Sequence, residues 1–126
     1  MVDGTFDRIL VTGASGFVGS NFVFRLNGKR MKGQKIFALI RNGGPDDVFS
    51  RFERQTVAPI DRRAVEVIAG DLCDPQFVWS VIRKTRPTLI LNFASQAIVR
   101  DSLKSPVYTM ANNVMGTTYL LEASRE

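Results

Sequence analysis

The chain reads as an α/β protein: a parallel sheet of about four strands in the order 3-2-1-4, with helices on both faces. Short apolar runs alternate with segments of helical spacing from one end to the other. A glycine triplet sits where the first apolar run meets the first helical segment. Two later helical segments each open on a capping residue followed by proline, Asp74-Pro75 and Ser105-Pro106.

Ile9-Leu10-Val11 is the first predicted strand. It runs straight into Gly13-Ala14-Ser15-Gly16-Phe17-Val18-Gly19, three glycines at spacing three. A helix is predicted over 16–27, with Val18, Phe22 and Leu26 in helical spacing and Gly28 suited to the exit. Residues 36–40 form the second strand. Asn42-Gly43-Gly44-Pro45-Asp46-Asp47 reads as a loop of turn formers, with a weaker helical pattern near 46–57. The third strand spans 65–69 and the next helix 74–85; the fourth strand spans 89–93 and the last helix 105–124. Alternation of this kind demands right-handed crossovers and places ligands at the carboxyl ends of the strands.

At 126 residues the chain is one domain at most, so 1–126 is read as a single unit. Its composition, 44% hydrophobic and 23% charged, is that of an ordinary globular protein rather than a disordered or membrane one. No apolar run approaches the ~20 residues of a bilayer span, so no membrane partner is expected. Met1-Val2-Asp3-Gly4 lacks the charged start of a secretory signal. The lone Cys73 rules out an internal disulfide and fits a reducing, cytoplasmic compartment. The net charge of +5 owes much to Arg25, Lys29, Arg30, Lys32, Lys35 and Arg41. No basic run interleaved with stacking aromatics follows and no zinc pattern appears, so neither nucleic acid nor a metal is expected. Anionic small ligands, or a solvated helix end and loop, account for the charge better.

The strand ends carry the candidate chemistry. A strand, a tight glycine turn and a helix N-terminus make an anion cradle, because backbone N–H groups point at a phosphate that glycines let come close. Gly13, Ala14, Ser15, Gly16, Phe17, Val18 and Gly19 are therefore cofactor candidates. After the second strand stands Arg41, where an Asp or Glu would hydrogen-bond the adenosine ribose and repel a 2′-phosphate. A guanidinium suits phosphate oxygens instead, which favours NADP over NAD; the other reading is a surface charge. After the third strand, the Asp71 carboxylate can accept from an adenine amino group while Leu72 packs on the ring. Asp71 could equally cap the following turn. After the fourth strand come Phe93, Ala94, Ser95 and Gln96, mostly small residues against which a cofactor backbone can lie. Gly116, inside a helix, costs roughly 1 kcal/mol relative to alanine and points to close backbone packing.

Together these residues resemble the N-terminal part of an extended short-chain dehydrogenase/reductase of the epimerase/dehydratase kind. The resemblance is carried by Thr12-Gly13-Ala14-Ser15-Gly16-Phe17-Val18-Gly19, by Gly70-Asp71-Leu72-Cys73-Asp74, and by Asn113-Val114-Met115-Gly116-Thr117 leading into Leu120-Leu121-Glu122-Ala123. Within that family, Asn92-Phe93-Ala94-Ser95-Gln96, then Ser102-Leu103-Lys104-Ser105-Pro106 and Tyr108-Thr109, is most similar to sugar-nucleotide 4,6-dehydratases. The NADP-using GDP-mannose 4,6-dehydratase branch is the nearest. This resemblance implies an NADP cofactor and a nucleotide-sugar substrate in the complete enzyme. It also implies Tyr108 near the nicotinamide half, Asn112 close to the cofactor pocket, and a homodimer formed through helices of this domain. One step departs from the pattern: Ala97-Ile98-Val99 stands where the dehydratases carry Ser-His-Val.

The family's acid/base is a tyrosine with a lysine four residues on. Here Tyr108 is followed at that spacing by Asn112, and Tyr119 by Ala123. No histidine is present to substitute as a base. No catalytic residue is therefore assigned. The expected function is the NADP(H)-binding portion of a sugar-nucleotide 4,6-dehydratase or epimerase, with the substrate domain and later strands absent. In the complete enzyme a hydride would leave the sugar C4 and be returned. The alternatives are a non-catalytic NADP-binding module or sensor, and a truncated remnant without activity. An open edge beside the fourth strand is expected, and with it marginal stability unless a partner covers that edge.

Overall fold

Strand alternation decides where each side chain of the first apolar run goes. The structure, a computed structural model, describes residues 6–43, 60–95 and 99–126. In β1 (Arg8–Thr12), Ile9 and Val11 enter one apolar core and Leu10 enters a second, across the sheet. All three are at most 2% exposed. Burial of each contributes about 1.5–3 kcal/mol. In β2 (Lys35–Ile40), Ile36, Ala38 and Ile40 join the first core while Phe37 and Leu39 join the second. A strand covered on both faces has no polar side to show, so it reads as an unbroken apolar run.

β3 (Val65–Ala69) and β4 (Leu89–Asn92) complete a four-stranded sheet in the order β3-β2-β1-β4. Every pairing is parallel, with Ile9 opposite both Ile36 and Leu89, and Ile36 opposite Val65. This is the order the sequence predicts. Burial is near complete only in the central pair. β3 and β4 each have one neighbour among the described residues, and most of their side chains are half-buried.

α1 (Phe17–Gly28) covers the first face through Val23, with Phe24 and Leu26 packed beside it. Its buried line differs from the one read from spacing. Val18 and Phe22 are 49% and 43% exposed, and Gly19 and Val23 are buried instead. The cause is the turn. A Cβ on Gly19 would meet the Gly13 carbonyl oxygen at 2.1 Å, so this glycine's bare face is what lies against the turn. That contact sets the rotation of the whole helix.

α2 (Pro75–Thr85) covers the second face with Val78 and Val81. Asp74 caps it as expected, its carboxylate accepting from the N–H groups of Gln76 at 3.0 Å and Phe77 at 3.4 Å. The helix closes on Arg86 in the left-handed conformation, φ 43°. The last helical region is longer and more broken than the single predicted helix. It comprises α3 (Val99–Lys104), α4 (Pro106–Met110), a π turn (Ala111–Met115) and α5 (Gly116–Arg125). Pro106 has no N–H to offer, so helix that began at Val99 is interrupted there. The Ser105 side chain makes no capping bond; its carbonyl accepts from the Thr109 N–H and hydroxyl, both at 3.0 Å. Leu120 and Ala123 of α5 complete the second core. The helix predicted near 46–57 falls outside the described residues.

Candidate functional site

Four strand ends and one helical turn converge on a cleft. Gly13, Ser15 and Gly16 line it from the glycine turn, and Leu39 and Arg41 from the end of β2. Gly70, Asp71 and Leu72 follow β3; Phe93, Ala94 and Ser95 follow β4; Asn112 enters from the π turn. The cleft runs across the carboxyl ends of the strands and takes in the tails of β1 and β4, between which the strand order reverses, the position at which open parallel sheets hold ligands.

The turn is built by close backbone approach. Gly13 has φ +61°, and a Cβ there would lie 2.7 Å from Phe93 and Ala94 backbone atoms. Only glycine lets β1 turn that tightly against the tail of β4. Gly16 then donates to the Gly13 carbonyl at 3.0 Å, and α1 begins with no acidic residue in its first turn. The positive end of the helix dipole is left without a carboxylate to neutralise it. Behind the turn, buried Thr12 accepts from the Ala94 N–H at 3.2 Å and donates to Asn92, which in turn donates to Thr117 at 3.2 Å. This chain of hydrogen bonds ties β1, β4 and α5 together beneath the cleft floor.

Charge in the cleft comes from Arg41 and Asp71. Asp71 accepts from the Cys73 N–H at 2.9 Å, so one carboxylate oxygen caps the turn, the more modest of its two readings. Burial pushes the Cys73 thiol above its ordinary value; a hydrogen bond with Asp71 and that group's negative charge add to the rise, and the charge of Arg41 opposes it. Arg41 donates to the Tyr108 hydroxyl, and its guanidinium carbon lies 5.4 Å from the centre of the Tyr108 ring. Gly116 packs as its position in a helix suggested, with Leu72 Cβ 3.1 Å from where its own Cβ would stand.

Five described residues expected at the site are not among those lining the cleft. Ala14 is fully buried and its N–H is bonded to the Leu39 carbonyl at 3.1 Å. Gly19 faces the turn, and Phe17 and Val18 are 87% and 49% exposed on α1. Tyr108 stands against Arg41, which follows β2. A sixth expected residue, Gln96, lies outside the described residues. Two lining residues were missed, Leu39 and Gly70. Leu39 is the next-to-last residue of β2 and Gly70 the first after β3, so one position either side of a strand end reaches them.

The layout is that of a Rossmann-type α/β protein, with its cleft at the carboxyl ends of a parallel sheet. The chain belongs to the family described as GDP-mannose 4,6 dehydratase, whose profile matches residues 10–126. That places it in the epimerase/dehydratase group of extended short-chain dehydrogenases/reductases. It is 31% identical to the dTDP-glucose 4,6-dehydratase of Xanthomonas campestris pv. campestris (strain B100) over 93% of its own length. It is 32% identical to the UDP-glucuronate 4-epimerase 6 of Arabidopsis thaliana, again over 93%. Among solved structures it resembles the UDP-glucose 4-epimerase of Thermus thermophilus in complex with NAD. The TM-score there is 0.71, with 32% identity over 94% of this chain and 33% of that one. The chain spans 31% and 24% of the lengths of the two curated relatives.

Proposed function

We propose that this chain is the dinucleotide-binding portion of a sugar-nucleotide 4,6-dehydratase or epimerase. The observation that carries the reading is the glycine turn. Gly13 and Gly16 open a helix N-terminus, free of acid, onto a cleft at the strand ends. A diphosphate would lie against that helix start, with the adenosine toward Arg41 and Asp71 and the remainder along Phe93, Ala94 and Ser95. The relatives named above support the substrate class, a nucleotide sugar, for the complete enzyme. In that enzyme the dinucleotide would supply hydride removal and return. Among this chain's own residues we assign binding and orienting roles only.

NADP is the proposed cofactor, on the strength of Arg41 at the end of β2. A second reading, NAD, has its own support: the Thermus epimerase was solved with NAD. Isothermal titration separates the two. Tight NADP binding with NAD weaker by about tenfold or more is expected, since a charge-assisted phosphate contact is worth roughly 1.5–3 kcal/mol. Arg41→Asp should erase that preference. Equal affinity for both cofactors in the wild type would move the assignment to NAD, and no binding of either at millimolar concentration would sink the dinucleotide reading. We also propose a homodimer through the final helices, whose Val99, Leu103, Val107 and Met110 are each at least 60% exposed.

A further inference from the structure

The geometry points to Tyr108 as a built-in competitor for the Arg41 guanidinium: it holds Arg41 while the cleft is empty and yields it to a 2′-phosphate. The inference rests on the reading of Arg41 as a 2′-phosphate contact and goes further, to how that contact is regulated. Arg41 follows β2, and Tyr108 stands on α4, 67 residues later in the chain. Their contact joins the tail of a strand to a helix far along the chain. It has two parts, a hydrogen bond to the phenol oxygen and the guanidinium set near the ring. Arg41 is exposed, so the contact is not a core requirement.

The exchange follows from the acceptors. A phenol oxygen is neutral and offers one site to a guanidinium. A phosphate is anionic, accepts two parallel N–H bonds, and forms hydrogen bonds about twice as strong. A ligand bearing a 2′-phosphate therefore takes Arg41 from Tyr108. A ligand with only a ribose hydroxyl offers nothing better than the phenol, and Arg41 stays where it is. Tyr108 thus reduces affinity for the phosphorylated ligand and leaves that for the unphosphorylated one as it is, which narrows the preference between them. It acts on specificity through Arg41, as a positioning residue, from the adenosine side of the cleft.

The test uses the whole chain with 2′,5′-ADP and 5′-ADP as probes. In the empty protein, Tyr108→Phe should shift the Arg41 Nε–Hε resonance, and adding 2′,5′-ADP to the wild type should shift it too. Titration should show Tyr108→Phe binding 2′,5′-ADP about three- to tenfold tighter, as expected for removing one competing hydrogen bond, with 5′-ADP unchanged. Tyr108→Leu, which also removes the ring, should bind 2′,5′-ADP at least as tightly as Tyr108→Phe. An unmoved Arg41 resonance in Tyr108→Phe would show that there is no such contact to exchange. Weaker or unaltered 2′,5′-ADP binding by Tyr108→Phe would overturn the competitor role and leave the phosphate contact standing. Wild-type protein that binds 2′,5′-ADP no tighter than 5′-ADP, with the Arg41 resonance still sensitive to Tyr108→Phe, would remove the phosphate reading itself.

Discussion

Glu66 sits between two ammonium groups, Lys84 at 2.7 Å and Lys35 at 3.4 Å, at the end of the sheet opposite the cleft. The hydrogen bond from Lys84 is the main reason its carboxyl titrates below the ordinary 4.5; partial burial opposes it, and Lys35 assists. Folded protein therefore holds the Glu66 proton more weakly than unfolded protein does. The stabilisation is present above the ordinary value and is lost as pH falls through the depressed one. Urea midpoints should show Glu66→Gln less stable than wild type near neutrality, with the gap closing in the acid range below about pH 4.5. A gap that stayed constant to pH 3 would show that the ion pairs do not couple to folding. Nearby charges looked like bare surface in the sequence, yet Arg30 pairs with Asp61 at 2.5 Å and Lys35 with Glu66. Those acids lie 31 residues along the chain in each case, 61 − 30 and 66 − 35, beyond any local pattern. Arg41 and Asp71 were legible because strand ends are where this architecture places ligands. The contact between Tyr108 and Arg41 was not, because it joins residues 67 apart in the chain.

Elements obeyed their caps and glycines more closely than their apolar spacing. Asp74→Ala removes both side-chain bonds at the start of α2 and should cost about 1 kcal/mol in a urea titration. Gly19→Ala should cost more, about 1–3 kcal/mol or beyond, because its methyl would collide with the Gly13 carbonyl rather than with a movable side chain. If Gly19→Ala were as stable as wild type, α1 would not be held against the turn as described. The same glycine explains why Val18 and Phe22 misled. Both are apolar at helical spacing, but a helix rotated to put Gly19 on the turn turns them outward, where Phe22 meets the Phe93 ring at 4.8 Å. The final helix was legible in extent at its C-terminal side only. Ser105-Pro106 looks like a start, and it is one, but a helix precedes it. The wide turn at Ala111–Met115 leaves no signature in residue type, because π geometry comes from the register of backbone hydrogen bonds. It brings Asn112, 8% exposed, to the cleft.

Topology was the most legible level of all. Alternation of apolar runs with helices leaves few right-handed, unknotted arrangements, and the order 3-2-1-4 is the simplest. What surrounds the sheet was less so. β4 presents an unpaired edge among the described residues, and α3 and α4 present Leu103 and Val107, 78% and 82% exposed. Apolar surface of this kind favours association. Sedimentation velocity should show a species heavier than one chain whose fraction rises with concentration. Leu103→Lys with Val107→Lys should return it toward the single chain. Sedimentation as one chain at every concentration tested would count against the proposed homodimer. Among the described residues no helix is long and apolar enough to cross a membrane.

The pairing of β1 with β4 sets an order of events in time. Arg8 and Thr88, whose contact opens that pairing, lie 80 residues apart. During synthesis at about 5–20 residues per second, the central strand waits several seconds with one flank empty. The Gly13 turn cannot meet Phe93 and Ala94 before that long loop closes, so the cleft is the last part of the sheet to mature. In a refolding experiment, ligand affinity should therefore return later than helical signal.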